Sequence, residues 1–144
     1  MRPVPKSNGK TYLEAAPHDM DELREIIHIL CDPDEGCPWD SAQTHASLKD
    51  CLVNETNEVL EAIDRDDREN LREELGDVLL QVIMHSEIAE REGWFTLDDV
   101  VQTVSEKMIR RHPHVFGDME VPEDADWHDL WEQIKAGEKD RDGR

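Results

Sequence analysis

Four acids in the middle of the chain stand at spacings that permit metal chemistry. In residues 54–77, "NETNEVLEAIDRDDRENLREELGD", Glu55 and Glu58 are three apart, and so are Glu74 and Asp77. Residues three apart on a helix lie one turn apart on the same side, so each pair can present two carboxylates together. The pairs also mirror each other, because 55 and 77 lie as far from position 66 as each other, and so do 58 and 74. An antiparallel hairpin folded about residue 66 therefore sets Glu58 opposite Glu74 and Glu55 opposite Asp77. Four converging carboxylates cannot all stay ionised without cations. An oxygen-only donor set suits hard ions such as Mg²⁺ or Mn²⁺.

Spacing alone also fits solvated acids on the surface of an acidic protein. Placement beside Cys51, Val59, Leu75 and Val78, on stripes that read as core-facing, argues for a site instead. A di-iron bundle is a competing metal reading, but it normally draws on Glu-x-x-His, and here the last position of each pair is Glu or Asp. "HPH" at His112 to His114 reads as a structural stop rather than a zinc site, and the three cysteines lack zinc-finger spacing.

Helices must carry these acids. Asp19 is the expected N-cap of a first helix with Leu23, Ile26, Ile27 and Leu30 on one stripe. "CDPDEGCPWD" then forms a shaped loop. A second helix is expected over Ser47 to Asp64. Asp66 with Glu69 resembles a capping box opening a third helix, which runs to about Arg91 and breaks at "EGW". "TLDD" at Thr96 to Asp99 opens a fourth, which stops before the proline of "HPH". A last, short helix spans roughly Trp127 to Lys139. Seven glycines and no run of alternating β-branched and aromatic residues argue against strands. The expected class is all-α: a bundle of four main helices plus a short C-terminal one.

A chain of 144 residues is the size of one domain. Residues 1–17, with three prolines, read as a flexible N-terminal arm, 18–139 as the domain, and 140–144 as a disordered tail. The formal charge of -20 repels nucleic-acid polymers and anionic membranes, so polyanions need a local exception such as a bound cation. Cys31, Cys37 and Cys51 form an odd set without a C-x-x-C pair, which suits a reducing compartment. No apolar run has signal or membrane-spanning length. The expected location is the cytoplasm.

The motifs "GCPWDSAQTHASL", "ETNEVLEAI", "LREELGDVLLQV", "RRHPHVFGD" and "LWEQIK", in this order within residues 20–138, resemble those of the MazG nucleotide pyrophosphohydrolases. These are all-α enzymes of the dimeric dUTPase-like group. The resemblance implies hydrolysis of nucleoside triphosphates, noncanonical or damaged ones among them, to monophosphate and pyrophosphate. It implies Mg²⁺, with Mn²⁺ as an alternative, on Glu55, Glu58, Glu74 and Asp77 as metal ligands and catalytic residues. Asn54 departs from the pattern, standing where many members have a first Glu. The assembly implied is a homodimer or larger, completing the bundle.

Similar residues in related enzymes contact the nucleotide, which points to Lys107 and Arg111, one turn apart on the fourth helix, and to Trp131 and Lys135 on the last. The cations would meet phosphate oxygens and Trp131 would stack on a base. Core packing and pairing with acids are the alternatives for these four. Trp39 is a candidate for the substrate mouth or for an anchor of its loop. A different functional class, a nucleotide-sensing helical module without turnover, also fits these motifs.

Overall fold

Asp19 opens the helical part of the chain as expected, its carboxylate accepting the Glu22 N–H at 2.9 Å at the start of α1 (Met20–Leu30). The computed structural model describes the backbone of residues 2–5, 11–14 and 18–142 and the side chains of 18–139. The remaining parts of the expected arm and residues 143–144 of the tail lie outside the described residues. After α1 come α2 (Pro38–Ser41), α3 (Lys49–Asp64), α4 (Arg68–Arg91), α5 (Leu97–Arg111), α6 (Pro113–Phe116) and α7 (Trp127–Asp142). The fold is all-α. Ahead of the helices, β1 (Arg2–Pro5) and β2 (Thr11–Glu14) pair antiparallel, with Arg2 opposite Glu14, where the sequence led us to expect no strands. A two-stranded ribbon has open edges on both sides, so Pro3 and Pro5 need not interrupt a ladder. The C-terminal helix is longer than expected, continuing past Lys139 to Asp142.

The "CDPDEGCPWD" loop folds back on the end of α1. Cys31 N–H bonds to Ile27 O, and Cys37 N–H to Leu30 O at 2.9 Å, so carbonyls left over at the helix end find donors. Only glycine fits at position 36, because a Cβ there would collide with the carbonyl oxygens of Ile29 and Leu30. Arg91 of α4 then holds the chain beyond α2, donating to Ser41 O and Gln43 O at 3.2 Å each. Thr44 and Ser47 cap each other reciprocally, backbone N–H to hydroxyl, at 2.8 and 3.0 Å. Regular helix begins two residues after Ser47, at Lys49. The Nδ1 atoms of His45 and His85 share a hydrogen bond of 2.7 Å, which pins this segment to α4.

The α3–α4 turn departs from expectation by one residue. Asp66 adopts a left-handed φ of 52°, and Asp67 is the N-cap of α4, accepting the Asn70 N–H at 3.2 Å. The chain needs one left-handed residue to leave α3, and a residue in that conformation cannot also supply the extended N-cap geometry. At its other end α4 stops at Gly93, with φ 75°, where Trp94 N–H reaches back to Ala89 O.

The chain divides into two compact units, Met1–Leu97 and Asp98–Arg144. In the first, α3 packs along α4, and α1 also packs on α4. Ile27, Leu48 and Ile83 are fully buried, joined by Met84, Ile88 and Ala89. The apolar stripes read from the sequence are only partly buried. Leu30 at the end of α1 stays exposed, and so do Leu52, Leu75 and Val82, on second apolar faces of α3 and α4 that the described residues leave open. On α3 that face is Leu52, Val53, Leu60 and Ile63, all at helical spacing. In the second unit α5 and α7 are tied by ion pairs from Arg110 and Arg111 to Glu138. Among the described residues, no helix is long and apolar enough to cross a membrane.

Candidate functional site

The hairpin brings the four acids together. One carboxylate oxygen each from Glu55, Glu58, Glu74 and Asp77 lies within 4.8 Å of all the others. Two residues of α3 and two of α4 supply the set, each pair one turn apart, and the short turn at 65–67 puts them level. Glu55, Glu74 and Asp77 are half-buried and Glu58 is exposed.

Crowding shows in their protonation. Glu74 is pushed up to about 7, first by a hydrogen bond with Glu58, then by desolvation and by the charges of Glu58, Asp77 and Glu55. Glu55 is raised as well, by burial first and then by Glu58 and Asp77. Glu55 Oε2 and Glu74 Oε2 are buried without a hydrogen-bond partner. Buried carboxylate oxygens without a partner are costly, and a hard cation satisfies them. Octahedral ligands at about 2.1 Å span about 4.2 Å across the ion, a scale that matches this spread. Asn54 is exposed on α3.

A second set lies within residues 98–144. Arg111, His112, His114, Trp127, Trp131 and Ile134 line a cavity of about 500 Å³. The Arg111 guanidinium sits over the Trp131 ring at 5.2 Å, and His112 tilts against the same ring at 5.6 Å. His114 packs on Trp127 at 4.9 Å. Thus Arg111 and Trp131 come together, while Lys135, one turn further along α7, reaches Glu132 at 3.8 Å. Lys107 is half-buried on α5, one turn before Arg111.

The histidines that read as a stop signal do end α5, yet they also wall this cavity. His112 donates from Nδ1 to Met108 O at 2.6 Å, closing the helix end. A usable signal was the aromatic spacing of Trp127 and Trp131, which puts both rings on one face of α7. Trp39 is largely exposed, so the loop is anchored by other residues. Gln43 does that work locally: its amide donates to Trp39 O at 2.9 Å, and its carbonyl oxygen accepts the Ser47 hydroxyl at 2.6 Å.

Comparison with known proteins agrees with this architecture. Residues 43–116, which include all four acids, match the MazG nucleotide pyrophosphohydrolase domain. The chain belongs to the MazG family. It is 51% identical over 119 residues to the nucleoside triphosphate pyrophosphohydrolase/pyrophosphatase MazG of Thermotoga maritima, covering 83% of this chain and 45% of that protein. It is 43% identical over 122 residues to the nucleoside triphosphate pyrophosphohydrolase of Escherichia coli K12, covering 85% and 46%. An uncharacterized Bacillus subtilis protein, YabN, is 53% identical over 122 residues, covering 85% of this chain and 25% of its own length. The chain therefore spans between a quarter and a half of these curated relatives. A crystal structure of a mazG-related protein from Thermotoga maritima superposes with a TM-score of 0.62 at 28% identity, covering 78% of this chain and 97% of that one.

Proposed function

We propose that this MazG domain hydrolyses nucleoside triphosphates, noncanonical or damaged ones included, to nucleoside monophosphate and pyrophosphate. Glu55, Glu58, Glu74 and Asp77 hold Mg²⁺, or Mn²⁺ in its place. The observation that carries this reading is the convergence of four carboxylates, two with an orphaned oxygen, on one hairpin of an acidic chain. The similarity to the nucleoside triphosphate pyrophosphohydrolases of Thermotoga maritima and Escherichia coli supports it.

A divalent cation there offsets polyphosphate charge and makes water a better nucleophile at neutral pH. The chain's own residues do the rest. The carboxylates fix where the polyphosphate is drawn in, in a protein whose overall charge would otherwise repel it. Lys107, Arg111 and Lys135 meet phosphate oxygens, Trp131 stacks on the base, and Trp39 borders the substrate mouth. Homodimerisation or larger assembly covers the second apolar faces of α3 and α4. The protein acts in the cytoplasm, on free nucleotides rather than nucleic-acid polymers.

The test is a panel of nucleoside triphosphates, canonical and damaged, incubated with Mg²⁺ and followed by product identification. Release of pyrophosphate together with monophosphate is the expected result. Mg²⁺-dependent binding without product would instead establish a nucleotide sensor. Inorganic phosphate as the first product would overturn the reaction assigned.

A further inference from the structure

Among the described residues Glu138 is the most buried acid of the second unit, at 5% exposure, and it lies outside every motif that drew attention in the sequence. Its carboxylate accepts from Arg110 Nε at 2.7 Å, and its Oε2 accepts from Arg111 Nε at 3.1 Å and Nη2 at 3.0 Å. Two neighbouring donors of Arg111 are therefore engaged along a single edge, which fixes the plane of the guanidinium. The Cζ of that guanidinium lies over the Trp131 ring, 5.2 Å from its centroid, and both residues line the 500 Å³ cavity.

We infer that Glu138 is a positioning residue for the nucleotide: through Arg111 it sets the cation–aromatic contact that walls the ring-lined cavity. The inference rests on the nucleotide reading above and adds to it a residue that never touches the ligand. Two facts converge on it. An arginine held along its Nε–Nη2 edge presents its Nη1 corner away from the carboxylate, as a fixed rather than a sweeping donor. A cation held over one face of an indole in turn restricts the indole, so the face offered to a base is preset. The two arginines hold Glu138 down at about 2, so the arrangement persists across physiological pH.

The bland alternative is a clamp that merely ties α7 to α5. A double-mutant cycle separates the two. Glu138→Gln, Arg111→Lys and the double variant are assayed with the triphosphate that the wild type turns over fastest. If Glu138 acts through Arg111, each single variant raises KM about tenfold or more, with kcat within about twofold, and the double variant is little worse than either single. Independent, additive losses, or an unchanged KM alongside a lower melting temperature, would overturn the inference. Glu138→Asp, which keeps the charge but withdraws the carboxylate, replaces Glu138→Gln in the cycle should the amide fail to fold, with the same outcomes decisive. A wild type that neither binds nor cleaves any nucleotide would remove the functional reading and this inference together. An active wild type with additive losses removes this inference alone.

Discussion

Glu58 and Glu74 meet across the α3–α4 hairpin, and the hydrogen bond between them is the largest reason that Glu74 keeps its proton up to about pH 7. An unfolded glutamate releases its proton near 4.5. Between those values the folded chain binds a proton that the unfolded chain has lost, so stability falls as pH rises through this window and the loss is complete above it. Metal-free protein is expected to lose melting temperature from pH 5 to pH 8 more steeply than Glu74→Gln does, and Mg²⁺ is expected to restore the wild type at pH 8. Calorimetric melts of both proteins, with and without Mg²⁺, check this. Parallel pH profiles for the two would contradict it.

Glu58→Gln or Glu74→Gln is expected to cut turnover by more than about 100-fold, since even outer-sphere changes at metal sites cost about 10–100-fold. Helicity measured by circular dichroism should be unchanged. Near-normal rates at saturating Mg²⁺ would show that the ligand set is wrong.

The apolar face of α3 that the described residues leave exposed leads to a prediction about mass. Light scattering is expected to give at least twice the 16.7 kDa of one chain. Leu60→Glu, which puts a charge in the middle of that face, is expected to give monomers. A monomeric wild type at the concentration where it is active would refute the assembly.

Trp131→Ala removes the ring that Arg111 and His112 both lean on. If the indole stacks on the base, affinity should drop by about 1–3 kcal/mol, chiefly through KM. Nucleotide titration and thermal melting of the same variant decide the matter. Unchanged affinity with a much lower melting temperature would leave Trp131 a packing residue.

The carboxylate cluster was legible in the sequence because hairpin arithmetic depends only on two regular helices and a short turn, and both held. Asp67 rather than Asp66 capping α4 did not disturb it, since the shift lies within the turn. The core was less legible. On α4 apolar residues occupy more than one face, so periodicity did not say that Ile83, Met84 and Ile88 would be buried while Leu75 and Val82 were not. That choice is made by packing against α1 and α3, which local spacing does not encode. The ring-lined cavity was half visible: Trp131 and Arg111 stood out, whereas the two histidines of "HPH" and Trp127 belong to different stretches and meet only in three dimensions. Glu138 gave no signal at all, being one acid among 36 in the chain's acidic total.

Because Glu55, Glu58, Glu74 and Asp77 all come from a single hairpin, only residues 59–73 separate the two inner ligands. Closing so short a loop costs little chain entropy, and each doubling of its length would add only about 0.6 kcal/mol. A cation shared by the two helices is then a reversible cross-link within one supersecondary unit. Its removal should free α3 and α4 as a block, read as faster amide exchange from Glu55 through the turn to Asp77.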